Sequence, residues 1–177
     1  MEKFGIVPDV IDVVPEQQLE VLYSSGVKVN LGNELTPTQV KDAPQVKWSA
    51  EKDSFYTLIM TIPDDPSLTD PKHRQWHHWL VVNIPGVDVP KGEVLTEYVG
   101  SGPPPNGGLY TYVFLVYKQK GKLNFDEPKL TNRSTARGGF CHRKFSAKYN
   151  LGQPIGANFF QSQYDDYVPI LYKQFTS

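Results

Sequence analysis

Proline and glycine punctuate this chain so densely that long regular elements have little room. They account for 29 of its 177 residues, against an average near 12%. Their clusters separate short apolar segments, a pattern that suits strands and turns rather than long helices. The most strand-like segment is Tyr110–Tyr117, where every residue except Leu115 is aromatic or β-branched, the types that fit a pleated surface. Phe55–Ile62, Trp76–Ile84 and Ala157–Gln161 read as further strands. Leu19, Val21 and Tyr23 alternate with polar residues, Ser24-Ser25-Gly26 turns the chain, and Val27, Val29 and Leu31 alternate again, which predicts a hairpin.

Helical signals are fewer. Val7, Val10, Ile11 and Val14 predict a short helical turn, and Arg143–Asn150 a short helix stopping before Gly152. Tyr164, Tyr167, Val168, Leu171, Tyr172 and Phe175 follow helical spacing near the C-terminus. Pro169 fits such a helix only in its first turn. The expected fold is mainly β: an antiparallel two-sheet β-sandwich with a few short peripheral helices, including a C-terminal one, in a single domain over residues 1–177. No internal repeat or linker interrupts it.

Several function classes drop out. The one cysteine, Cys141, leaves no internal disulfide and no multi-cysteine zinc site. No basic stretch followed by an apolar run opens the sequence, and no apolar run approaches the roughly 20 residues of a membrane span. These features predict a cytosolic protein, in which the glycosylation-type triplet Asn132-Arg133-Ser134 is a coincidence. A net charge of −1 argues against nucleic-acid binding by phosphate neutralisation.

Two segments can carry chemistry. In the first, a proline-rich loop feeds Trp76-His77-His78-Trp79. Strict period two places Trp76, His78, Leu80 and Val82 on one face of that strand and His77, Trp79 and Val81 on the other, so the adjacent histidines cannot act together. Taken alone, they are sheet residues with ordinary hydrogen bonds. His73 and His77 share the i, i+4 spacing of a zinc-protease motif, but Arg74 and Gln75 stand where its catalytic Glu is needed, and no metal is expected. The second segment, Gly100–Gly108, has seven Gly or Pro in nine residues. Such a loop lets a ligand approach the backbone, and its N–H groups can hold an anion. Read alone it is a long hairpin connection, and no Lys-Ser/Thr follows to make it a phosphate loop. Ser101 lies in no nucleophile elbow. An acid–base pair of His78 and Asp64 lacks a nucleophile or metal, so no catalysis is expected.

In order along the chain, Gly32-Asn33-Glu34-Leu35-Thr36-Pro37, Asp70-Pro71-Lys72, Trp76-His77-His78-Trp79, Tyr98-Val99-Gly100-Ser101-Gly102-Pro103-Pro104, Tyr112–Tyr117 and Asp165-Asp166-Tyr167-Val168-Pro169 resemble the phosphatidylethanolamine-binding protein family. The resemblance covers nearly the whole chain. It implies a β-sandwich with a small pocket for phosphate or a phospholipid headgroup, in a cytosolic, monomeric, non-enzymatic protein that needs no cofactor. It also implies a role in signalling, through lipid binding or inhibition of a kinase or protease. The matching ligand-binding positions are Asp64, Pro66, Trp76, His78, Gly100, Gly102, Pro103, Pro104, Tyr110, Tyr112 and Tyr172; His77 matches a structural histidine. A cis bond at Pro63 or Pro103 is also implied.

Two departures stand out. Ile62 replaces the first Asp of the family's Asp-Pro-Asp-Ala-Pro, and Tyr110 replaces a His. Both remove a polar or chargeable group beside the anion, which predicts a pocket kept in shape but weakened or retuned. The family's phosphorylated serine before Phe-x-x-Lys-Tyr is Lys144 here, and the nearby hydroxyl is Ser146, so no phosphorylation switch is carried over. The alternative function is a surface-mediated inhibitor that does not need the pocket.

Overall fold

The computed structural model describes residues 1, 4–62 and 76–175. Asp64, Pro66, Pro63 and His73 lie outside the described residues, as do the side-chain surroundings of Asp9.

The chain is mainly β, with two sheets of unequal size. The strands are β1 (Gln17–Gln18), β2 (Glu20–Leu22), β3 (Asn33–Glu34), β4 (Gln45–Lys47), β5 (Phe55–Thr61), β6 (His77–Pro85), β7 (Glu93–Thr96), β8 (Tyr110–Lys118) and β9 (Gly156–Ser162). The helices α1 (His142–Lys148) and α2 (Val168–Gln174) flank β9 in sequence. The large sheet has seven strands in the order β1-β9-β8-β5-β6-β7, with β3 also on β9; β2 and β4 form the small sheet. The long central pairings are antiparallel, but β1 and β3 both run parallel to β9, which alternation could not reveal.

Both faces of the large sheet are covered. Leu58, Met60, Phe114, Val116 and Phe160 pack with Val21 and Val46 of the small sheet. On the other face Ile59, Val113, Leu115 and Phe159 pack with Ile6, Val10, Ile11 and Phe145. The central strands therefore read as continuous apolar runs, because neither side meets water.

The predicted hairpin forms in part. Gly26 N–H closes the turn on Tyr23 O at 2.9 Å, and Val29 N–H returns to Val21 O at 3.0 Å. The strand partner of β2, however, is β4. The returning arm is fastened by Asn158 on β9, whose buried amide donates to Leu19 O and Val29 O and accepts from Leu31 N–H. The N-terminal helical turn is one wide turn over Ile6–Val10, closed by Ile11 N–H on Ile6 O at 3.0 Å, and Val14 is exposed. Pro169 falls in the first turn of α2. Val7–Pro8 is the cis peptide among the described residues, so Pro103 is trans.

Strict alternation fails on β6. The register against β5 steps from Met60↔Trp79 to Thr61↔His77, leaving one extra residue on β6, and slips again between Tyr56↔Ile84 and Leu58↔Val81. Each bulge inverts the phase. Trp76, Trp79, Val81 and Ile84 consequently belong to the cluster with the small sheet, and Leu80 and Val82 to the opposite one. Asn83 turns the second bulge with φ +53°, held by its side chain to Leu123 N and O. The expected grouping of Trp76 and His78 with Leu80 and Val82 is thus corrected. The separation of His77 from His78 stands.

Candidate functional site

Where β6 begins, the 98–104 loop and α2 enclose a cavity of about 620 Å3. Its walls are largely apolar: Ile62, Trp76, Val99, Leu171 and Phe175, with the rings of Tyr112 and Tyr172. His78 lies among them. Its ring stands edge-on to Trp76 at 4.8 Å between centroids and to Tyr112 at 5.1 Å. Tyr112 in turn stacks on Phe160 at 5.2 Å, so β8 and β9 hold it rigid.

The two adjacent histidines have different environments. The His77 ring stacks on Phe140 at 4.4 Å, and both its nitrogens are used: Nδ1–H donates to Arg137 O and Nε2 accepts from Thr96 Oγ1, each at 2.8 Å. His78 uses only Nδ1, which donates to Val99 O at 2.8 Å. Its Nε2 is buried and meets no hydrogen-bond partner. A carbonyl accepts only, so Nδ1 must carry the proton and Nε2 of the neutral ring is a bare lone pair. Burial pushes the His78 pKa down to about 3, assisted by the nearby charge of Arg137 and opposed by the carbonyls of Val99 and Gly100. His77 is pushed down to about 4, again chiefly by burial.

Behind this wall lies Arg137, with none of its surface exposed. It donates from Nε to Ser134 O, from Nη1 to His78 O and from Nη2 to Thr131 O, and its Cζ lies 5.4 Å from the centre of the Trp76 ring. Burial lowers its pKa to about 10, which leaves it cationic at neutral pH. It does not line the cavity, and no carboxylate does so among the described residues.

The glycines of the second segment set the cavity's walls by close approach. A Cβ on Gly100 would stand 2.6 Å from Val40 O, and one on Gly102 would stand 3.0 Å from Leu171 Cδ2. Tyr172 donates its hydroxyl to Gly102 O, which ties α2 to the loop. Ser101 is buried and bonds Ser162 Oγ at 3.0 Å, a structural role. Ser146 likewise is buried and donates to Gly152 O at 2.8 Å.

Of the residues expected at the site, Trp76, His78, Gly100, Gly102, Tyr112 and Tyr172 come together around the cavity. Pro103, Pro104 and Tyr110 are not on its lining; Pro103 and Tyr110 are buried, Tyr110 with the core at the start of β8. Ile62, read from the sequence as a replacement for an acid of the family it resembles, lines the cavity. Val99 lies in the Tyr98–Pro104 motif without being singled out as a site residue, and Thr135, Gly138 and the backing Arg137 gave no signal in sequence, because the 131–140 loop has no periodicity to read. Leu171 and Phe175 were visible only as positions of an amphipathic helix. Among the described residues no group of three His, Cys, Asp or Glu could hold a metal ion, and no helix is long and apolar enough to cross a membrane.

Comparison with known proteins adds the following. The family model "Phosphatidylethanolamine-binding protein" matches residues 24–160. A Drosophila melanogaster protein named for odorant binding (A5) is 40% identical over 98% of this chain and 83% of its own length. A 26 kDa secreted antigen of Toxocara canis is 41% identical over 90% of this chain, which spans 61% of that protein. Among solved structures, the solution structure of CG7054 is 48% identical with a TM-score of 0.77, covering 97% of this chain and 98% of the other. A carboxypeptidase Y inhibitor, solved in complex with its cognate proteinase, is 29% identical with a TM-score of 0.76, covering 93% of each chain.

The relatives correct the expectation of a cytosolic protein. One is a secreted antigen and another is named for odorant binding, and both point to an extracellular setting. A lone cysteine limits disulfide bonding; it does not report the compartment.

Proposed function

Because the chain belongs to the phosphatidylethanolamine-binding protein family, we propose that it is a non-enzymatic binding protein whose cavity beside His78 receives a phosphate or phospholipid headgroup, in a site retuned by Ile62 and Tyr110. The observation that carries this reading is the unpartnered, buried Nε2 of His78 on the wall of a cavity of about 620 Å3. A buried acceptor left without a partner costs free energy that a ligand with a hydrogen-bond donor, such as the P–OH of inorganic phosphate or the ammonium of an ethanolamine headgroup, can recover. Aromatic and aliphatic walls with one convergent polar group are the usual make-up of a small-molecule site.

Ile62 supplies no polar atom to the headgroup, and Tyr110 is packed in the core. Each charge-assisted hydrogen bond lost this way weakens binding by about 1.5–3 kcal/mol, or one to two orders of magnitude. Titration with inorganic phosphate and with O-phosphoethanolamine, followed by NMR at Trp76 and Tyr112, tests the reading. Saturation in the millimolar range is expected. Micromolar saturation contradicts the weakening, and no response at either residue removes the pocket reading.

A second reading is favoured by the resemblance to the carboxypeptidase Y inhibitor: inhibition of a protease or kinase through exposed surface. The double variant His78→Ala, Tyr112→Ala separates the two. It abolishes a pocket-dependent activity and leaves a surface-mediated one intact.

A further inference from the structure

The Tyr172 proton is directed to Gly102 O. Three N–H groups of Arg137 are committed to the carbonyls of Ser134, His78 and Thr131, and its guanidinium lies outside the lining. Among the described residues on the lining, the buried side-chain atom with no partner is His78 Nε2, and it is an acceptor. The ring cannot reverse its tautomer cheaply, since Nδ1 would then turn a lone pair toward Val99 O at 2.8 Å.

We infer that the cavity selects ligands that bring a hydrogen-bond donor to His78 Nε2 on an apolar body, such as an alcohol or a phosphate that retains a P–OH, in preference to a fully deprotonated phosphate. The inference rests on the cavity being the ligand site and specifies what meets His78 Nε2. A deprotonated phosphate oxygen and an imidazole lone pair both lack a proton, so their approach is repulsive unless the ring becomes imidazolium. That step puts a charge on a buried ring, near the buried cation Arg137. A hydroxyl needs no such step. Ile62, Trp76, Leu171 and Phe175 then cover the apolar body of the ligand.

The test compares three probes at pH 7.5: 1-hexanol, its isomer methyl pentyl ether, and dimethyl phosphate, which is anionic and has no P–OH. Binding is followed by 15N NMR of the His78 ring and 1H shifts of Trp76. Hexanol is expected to bind at least tenfold more tightly than the ether and than dimethyl phosphate, with the Nε2 signal moving away from its free lone-pair position. Equal binding of alcohol and ether overturns the donor requirement and leaves the pocket reading standing. Tighter binding of dimethyl phosphate, with His78 becoming imidazolium, also overturns it and favours a plain anion site. Failure of all three at Trp76 removes the pocket reading itself. In His78→Phe, the alcohol-to-ether ratio should fall to within twofold. If that variant does not fold, the 15N tautomer of the unliganded wild type decides: an Nε2–H form overturns the inference.

Discussion

The guanidinium of Arg137 donates through Nη1 to the carbonyl oxygen of His78 at 3.2 Å, and Val99 N–H donates to the same oxygen at 3.0 Å. One backbone oxygen thus joins β6, the 98–104 loop and the 131–140 loop at the cavity wall. Arg137→Met removes the three guanidinium bonds to the carbonyls of Ser134, His78 and Thr131, of which His78 O keeps Val99 N–H and Thr131 O keeps Ser134 N–H. A loss of about 2–4 kcal/mol is expected in urea unfolding. Because the guanidinium charge lowers the pKa of both His77 and His78, both histidines should titrate higher in the variant. An unchanged titration contradicts the electrostatic link.

Acid should weaken the fold early. His77 and His78 titrate at about 4 and about 3 in the folded protein, against 6.5 when exposed, and His142 is also lowered by burial. The unfolded chain therefore takes up protons first as pH falls. Stability is full above about pH 6.5 and declines below it, by about 2 kcal/mol per histidine at pH 5 for His77 and His78. Denaturation curves at pH 7.5 and pH 5 check this, and coincident midpoints contradict buried neutral histidines.

Restoring an acid at position 62 should show what its absence does. Ile62→Asp places a carboxyl among apolar walls, at an expected stability cost of about 3 kcal/mol. The carboxylate should raise the His78 pKa from about 3 toward its ordinary value, read by NMR titration of the ring. A variant in which His78 does not move shows that position 62 does not address that ring.

The two cavity glycines should differ. In Gly100→Ala the new methyl meets Val40 O, a backbone atom that cannot step aside, at 2.6 Å. In Gly102→Ala it meets the side chains of Leu171 and Tyr172 at 3.0 and 3.2 Å, which can yield by tenths of an ångström. The expected cost is about 3 kcal/mol for the first and about 1 kcal/mol for the second. Thermal unfolding of both variants gives the order directly.

Asn132 is exposed in the 131–134 turn, and the relatives remove the reason for dismissing its triplet. Expressed through a eukaryotic secretory route, the chain should carry an N-linked glycan that N-glycosidase F removes and Asn132→Gln abolishes. A single unshifted band in all three samples rules this out.

The strands of the sheet centre were legible because β5, β8 and β9 are covered on both faces, and burial on both faces leaves unbroken apolar runs in sequence. The short strands were not. β1 and β3 have two residues each and take their partners from β9, more than 100 residues away. Much of the site was legible as well, since Trp76, His78, Gly100, Gly102, Tyr112 and Tyr172 belong to recognisable motifs. Arg137 and Thr135 lie in a stretch whose placement depends on hydrogen bonds to distant carbonyls, and local pattern carries no trace of that.

Sequence alone determined the β-rich character, the family, the absence of internal disulfides and the separation of His77 from His78. Only tertiary structure decided which further residues share the site. A bulge at the start of β6 keeps His78 and Trp79 on one side of the sheet, and a carbonyl from a separate loop fixes the proton on Nδ1. Strand period is a local property of the backbone. Bulge placement, burial and the partner of a ring nitrogen are set by contacts between segments far apart in the chain, so they exist only once the chain has folded.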